Sequence, residues 1–226
     1  MMTLLEQNIL SLCKKNGITF ERFKEDLDIE DVHELTVFDL EAICEEYDTD
    51  LMALLFKKLQ PNIWSMKAKE IKLLLLDVDG VMTDGGMYFT ESGDQSKKYH
   101  THDGMAILHL TKRNFNVGII SSGFKTNMVK DRADLLGVSH FYVGRDKKID
   151  VLANWIKELN IEYSQIAMIG DDINDLGIIN KVGFSACPSN AVKLIKESCD
   201  VILNKKGGEG CVREFIDTYL LDQPIS

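Results

Sequence analysis

Apolar residues along the chain fall into two kinds of pattern, short unbroken runs and longer stretches at helical spacing. Leu73-Leu74-Leu75-Leu76, Val117-Gly118-Ile119-Ile120 and Ile166-Ala167-Met168-Ile169 have the length and character of strands buried on both faces of a sheet. Helical patterns follow, one from Thr126 and one opened by Lys147-Lys148. Strand and helix therefore alternate, and the prediction is an α/β domain whose parallel sheet is flanked by helices. One stretch breaks the rule. From Gly86 to His100 two short alternating segments surround Glu91-Ser92-Gly93-Asp94, which predicts a β-hairpin.

The first 66 residues read differently. Leu5, Ile9 and Leu12, then Leu40, Ile43 and Cys44, then Leu51, Leu54 and Leu55 recur at helical spacing. Gly17 is expected to end the first helix, and Thr36 with Asp39 forms a capping box. Residues 1–66 are thus predicted to be a small all-α bundle of four or five short helices. Pro61-Asn62 marks its boundary with an α/β domain over 67–226 that carries the hairpin as a cap at about 86–100.

Charge bears on what the bundle can do. Its sequence of short helices weakly resembles repressor-type helix-turn-helix domains. Yet residues 1–66 hold 6 Lys and Arg against 14 Asp and Glu, a net of −8 out of the chain's −10. The place of a recognition helix, Asp28-Ile29-Glu30-Asp31, would repel phosphates. Nucleic acid is excluded as a partner, and contact with a protein is expected instead. The five cysteines (13, 44, 187, 199 and 211) are scattered without a Cys-x-x-Cys pair, so a reduced, cytoplasmic setting and no zinc site are expected. His100 and His102 have no further ligand near them in sequence. No apolar run approaches the ~18 residues of a membrane span, and Glu6, Gln7 and Asn8 interrupt any signal-like start.

The chemistry gathers where the runs end. Asp77-Val78-Asp79-Gly80 follows the first run, and two carboxylates placed two residues apart at its end are expected to point the same way out of the pleat. In open α/β sheets ligands bind beyond the carboxyl ends of strands. Two like charges there call for a counter-ion, and hard oxygen donors suit Mg²⁺. Ser121-Ser122-Gly123 follows the second run and opens a helix, an arrangement suited to an anion. Lys147 or Lys148 can place a cation over the same anion. Gly170-Asp171-Asp172-Ile173-Asn174-Asp175 follows the third run. Taken singly, Ser121 and Asp171 read as helix caps and Lys148 as a solvated charge. Their joint recurrence after successive strands does not reduce to capping.

This set resembles the haloacid dehalogenase-like phosphohydrolases, whose Rossmann-like core the predicted elements match. The resemblance implies a catalytic group of Asp77, Asp79, Ser121 and Lys148. Asp77 is the implied nucleophile, forming an aspartyl-phosphate, and Asp79 the acid and base. It further implies Mg²⁺ held by Asp77, the Asp79 carbonyl and Asp171, with Asp172 or Asp175 orienting its waters. Within the superfamily, the closer resemblance is to 3-deoxy-D-manno-octulosonate 8-phosphate (KDO 8-phosphate) phosphatases. Asp77 to Gly85, the hairpin from Met87 to Tyr99, Asp103-Gly104 and Lys206 to Gly210 with Arg213-Glu214 carry it. That family implies a homotetramer whose neighbours close each site, and here Ser122, Gly123, His102, Asp103, Gly104 and Arg132 become candidate substrate contacts.

Other readings stay open. The chain has His102 where the octulosonate enzymes have Arg, and Ser121-Ser122-Gly123-Phe124 looks like the phosphoserine phosphatase loop. A nine-carbon ulosonate 9-phosphate or another small ester such as phosphoserine is therefore an alternative substrate. From another class, the chain could be a non-catalytic scaffold or regulatory protein. The adjacent charges of Asp77 and Asp79 speak against that, since a scaffold has no need of them.

Overall fold

The structure, a computed structural model, describes residues 2–47, 49, 51–56, 67–123 and 126–221. Pro61-Asn62 and Phe124, used above, lie outside the described residues. The chain divides into two compact units, Met1–Ile63 and Trp64–Ser226.

In the first unit, helices α1 (Leu4–Asn16), α2 (Phe20–Asp26), α3 (Val37–Glu46) and α4 (Leu51–Phe56) surround Ile9, Leu12, Phe23, Val32, Ile43 and Leu54. Gly17 ends α1 at φ +70°, and Ile18 N–H returns to the Cys13 carbonyl at 3.0 Å. A left-handed residue with such a bond closes the helix on its own carbonyls. The capping box at α3 is complete: Thr36 Oγ1 accepts from Asp39 N–H, and Asp39 Oδ2 accepts from Thr36 N–H at 2.7 Å. Asn8, wholly buried, donates to the Leu54 carbonyl at 2.7 Å and ties α1 to α4.

The second unit is built on β1 (Leu73–Asp77), β4 (Asn116–Ser121), β5 (His140–Val143), β6 (Ile166–Ile169), β7 (Phe184–Cys187) and β8 (Val201–Ile202). They form one parallel sheet in the order β5-β4-β1-β6-β7-β8. Why four leucines in succession suit β1 follows from the two-residue period of a strand. Leu74 and Leu76 enter one core with Val117, Ile119, Ala167 and Ile169, while Leu73 and Leu75 enter the opposite core with Ile120, Ile166 and Met168. Helices α5 (Thr101–Thr111), α6 (Thr126–Leu135), α7 (Lys148–Leu159), α8 (Leu176–Ile179), α9 (Lys193–Ser198) and α10 (Cys211–Phe215) complete the layers, the last continuing as a wider turn over Ile216–Leu220.

Sheet order places the site. From β1 the chain builds outward through β4 to β5, then crosses back to β6 and builds the other way. Connections leave β1 and β6 toward opposite sides, which opens a crevice at their carboxyl ends. The hairpin, β2 (Tyr88–Phe89) with β3 (Gln95–Ser96), is a separate two-stranded sheet. An isolated bridge between Thr83 and Tyr99 closes its base.

Candidate active site

Asp77 is the last residue of β1, and the chain turns away immediately after it. The carboxylates of Asp77 and Asp79 are therefore not related by the pleat of a common strand. Asp79 sits in a tight turn over Val78–Met82, with Gly80 at φ +95°. The turn is closed by Thr83, whose N–H and hydroxyl both donate to the Val78 carbonyl, at 3.0 and 3.1 Å. Gly80 is needed on a second count. A Cβ there would lie 2.0 Å from Asp171 Oδ2, so the missing side chain is what lets the Asp171 carboxylate approach.

Beneath the turn lies a buried charge group. Lys148 Nζ, from the first turn of α7, donates to Asp77 Oδ1 at 2.8 Å and to Asp175 Oδ1 at 2.7 Å. All three side chains are nearly inaccessible. The other oxygen of Asp175 accepts the Asp171 N–H at 3.1 Å, so Asp175 fixes both the ammonium and the loop after β6. Burial alone would depress the Lys148 ammonium, but Asp77 and Asp175 more than offset this and hold it above the usual lysine value.

The carboxylates are strained in the opposite sense. Burial, then the nearby Asp175, raises Asp77 well above the ordinary range. The same two causes push Asp171 up to about 6. One lysine does not neutralise this cluster, and Asp171 Oδ1 is buried without a hydrogen-bond partner. Oxygens of Asp77, Asp171 and Asp175 lie within 4.8 Å of one another. With both oxygens of Asp175 engaged, one by Lys148 and one by the Asp171 N–H, the second oxygen of Asp77 and the Asp171 carboxylate are left to hold a cation. An all-oxygen donor set of this charge fits Mg²⁺.

Above the group opens a cleft of about 270 Å³, lined by Asp77, Asp79, Ser121, Ser122, Gly123, Asp172 and Asn174 from the strand ends and by Gly85, Met87, Gln95 and Lys97 from the hairpin side. Ser121 ends β4, accepts the Gly123 N–H on its hydroxyl at 3.1 Å and faces Asp79 Oδ2 at 3.5 Å. Asp172 caps the next turn by accepting Ile173 N–H at 2.7 Å. Asn174 donates to Ser122 Oγ at 3.1 Å, linking the loops after β6 and β4.

The other sequence-derived candidates lie elsewhere, and none of the four lines the cleft. Asp103, 2% exposed, accepts the Arg213 N–H at 2.7 Å and so supports the start of α10. Its carboxyl is raised, mainly by burial. Arg132 lies over the Tyr99 ring at 5.2 Å and fills the space that a Cβ on Gly104 would need. His102 is exposed and meets His100 edge-on.

Sequence reasoning missed Lys97, Gln95, Met87 and Asn174. Lys97 forms an ion pair with Asp79 and is largely shielded from solvent. A signal existed: Gln95 and Lys97 alternate with Ser96 and Lys98 on the returning strand, so one pair had to share a face. Which face meets the cleft depends on how the hairpin folds over β1.

Comparison with known proteins gives the family. Residues 140–216 match the haloacid dehalogenase-like hydrolase family. Over 172 residues the chain is 35% identical to the 3-deoxy-D-manno-octulosonate 8-phosphate phosphatase of Salmonella typhimurium, covering 76% of this chain and 90% of that one. The chain belongs to that phosphatase family. It is a phosphoric monoester hydrolase. Among solved structures, a probable YrbI family phosphatase from Pseudomonas syringae superposes with a TM-score of 0.69 at 40% identity, covering 72% of this chain and 92% of that one. The KDO 8-phosphate phosphatase of Moraxella catarrhalis, solved with magnesium, phosphate and KDO, gives 0.69 at 35% identity over 73% of this chain and 94% of that one. No helix among the described residues of this phosphatase is long and apolar enough to cross a membrane.

Proposed function

We propose that this enzyme hydrolyses KDO 8-phosphate with Mg²⁺, through an aspartyl-phosphate on Asp77. The observation that carries the chemistry is the position of Asp77: a carboxylate 4% exposed, held by Lys148 at the floor of a cleft that Asp79 and Ser121 line. The substrate assignment is supported by the identity to octulosonate phosphatases over most of both chains.

Phosphoryl transfer needs alignment and charge neutralisation more than covalent help from the protein. Mg²⁺, held by Asp77, Asp171 and the Asp79 carbonyl, would offset the charge of the carboxylates and the phosphoryl group. Lys148 fixes the Asp77 carboxylate through Oδ1, which holds that side chain in one orientation for attack. The Ser121 hydroxyl, with Ser122 and Gly123 beside it at the start of a loop, offers donors to the phosphoryl oxygens. Asp79 gives a proton to the departing sugar alkoxide and then takes one from the water that cleaves the aspartyl-phosphate. Its ion pair with Lys97 and contact with Ser121 hold it at the cleft wall.

The cap is one short hairpin, and Met87, Tyr88 and Phe89 on it are exposed. An open cleft weakens electrostatic stabilisation because water remains. Assembly into a homotetramer, with hairpins buried against neighbours, supplies the missing cover, and an active monomer by light scattering would refute that assembly.

Phosphate release is to be compared for KDO 8-phosphate, a nine-carbon ulosonate 9-phosphate, phosphoserine and hexose phosphates, with and without Mg²⁺. A clear preference for phosphoserine sinks the sugar-acid reading. Near-normal turnover by Asp77→Asn sinks the mechanism.

A further inference from the structure

The turn that carries Asp79 is held from outside by a segment far along the chain. Gly207 and Gly208 lie directly on its backbone. A Cβ on Gly207 would fall 1.7 Å from the Gly80 carbonyl oxygen, and one on Gly208, at φ +69°, would fall 2.3 Å from Asp84 N. Gly208 N–H donates to the Val81 carbonyl at 2.9 Å, and the Cys211 thiol approaches the same oxygen at 3.3 Å. Backbone thus packs on backbone with no side chain between, so a shift of the glycine loop is transmitted to the turn.

What registers the glycine loop is a side chain. Gly207 N–H, buried, donates to Asn190 Oδ1 at 2.9 Å. Asn190 stands in the loop after β7, which is anchored on both sides. Ser189 N–H donates to the Lys205 carbonyl at 3.0 Å, and Val192 N–H donates to the Asp171 carbonyl at 3.0 Å. The loop therefore touches the segment bearing Asp171 at one end and the glycine loop at the other. Asn190 contacts neither reacting group and lies outside the cleft lining.

We infer that Asn190 is a positioning residue for Asp79, acting through Gly207 and the Val78–Met82 turn. The inference rests on the role given to Asp79 above. A buried N–H that loses its acceptor must find water or move. Movement of the glycine loop releases the turn, and Asp79 with it, while Asp77 stays fixed by β1 and Lys148. The defect should fall on proton transfer to the leaving group and spare the attacking carboxylate.

The test uses full-length Asn190→Ala and Asn190→Asp with two esters. One is an alkyl phosphate, KDO 8-phosphate, or phosphoserine if the wild type refuses the sugar. The other is p-nitrophenyl phosphate, whose leaving group departs as a stable anion and needs little protonation. Because kcat/KM reports the first, phosphoryl-transferring step, Asn190→Ala should lose roughly 30-fold or more on the alkyl ester but only about threefold on p-nitrophenyl phosphate. Asn190→Asp, which keeps an acceptor oxygen, should recover most of the loss, with all three proteins assayed at saturating Mg²⁺. Equal losses on both esters, or no loss at all, would overturn the inference. Refusal of KDO 8-phosphate by the wild type would count against the substrate assignment alone, since the comparison of esters still runs.

Discussion

Lys148 is the cation on which the buried carboxylates depend, and replacing it with Met tests that dependence. The substitution keeps most of the apolar stem and removes the charge. At 2.8 and 2.7 Å from two carboxylate oxygens, the ammonium gains roughly 6 kcal/mol of Coulomb attraction per contact at an effective dielectric of about 20. Drying the ammonium takes back several kcal/mol, and breaking a buried pair from one side typically costs about 3–5 kcal/mol. For a unit of this size the melting temperature should therefore fall by roughly 10 °C at pH 7.5 in chelator. The loss should also depend on pH. Asp77 and Asp171 have folded values above their unfolded ones, so the cost of ionising them is present at high pH and is relieved as pH falls through the folded value, about 6 for Asp171. The ammonium itself does not titrate in that range, because its own folded value is raised. The gap in melting temperature between wild type and Lys148→Met should thus narrow from pH 7.5 to pH 5. Differential scanning calorimetry at both values decides it. A gap that does not change with pH, or a variant as stable as the wild type, refutes the electrostatic account.

Three further outcomes are expected. Because Asp171 takes up a proton near pH 6 in the absence of metal, Mg²⁺ affinity by titration calorimetry should fall roughly tenfold per pH unit below that value, and a flat profile between pH 7.5 and 5 would contradict the assigned ligands. A chain beginning at Lys67 should keep Mg²⁺-dependent phosphate release, since the residues of the cleft and the buried charge group all lie beyond it, while the full-length protein should show no affinity for duplex DNA at low salt. Loss of chemistry in a folded truncation would mean that the N-terminal unit completes the site.

By itself the sequence determined what depends on spacings of a few residues. Four consecutive leucines had to serve two opposed faces, because strand side chains alternate. Gly17 and the pair Thr36 and Asp39 marked helix ends, because the unpaired groups there are met by residues one turn away. Asp77, Ser121 and Asp171 could be read as strand-end residues for the same local reason, and a parallel sheet brings strand ends to one edge.

Tertiary structure decided what depends on register between distant segments. Extrapolating the pleat from Asp77 to Asp79 assumed that β1 continued, whereas the chain turns at Val78 and Gly80 carries it through a left-handed conformation. Lys97 reaches Asp79 only because the hairpin folds back over its own strand. Asp103 accepts from Arg213, and Arg132 lies over Tyr99 and against Gly104, contacts that motif order does not reveal. The seat of Gly207 and Gly208 on the turn after β1 joins residues more than a hundred positions apart. Periodicity reports which face of an element is buried, not which other element covers it, and these contacts are set by sheet order and crossing geometry.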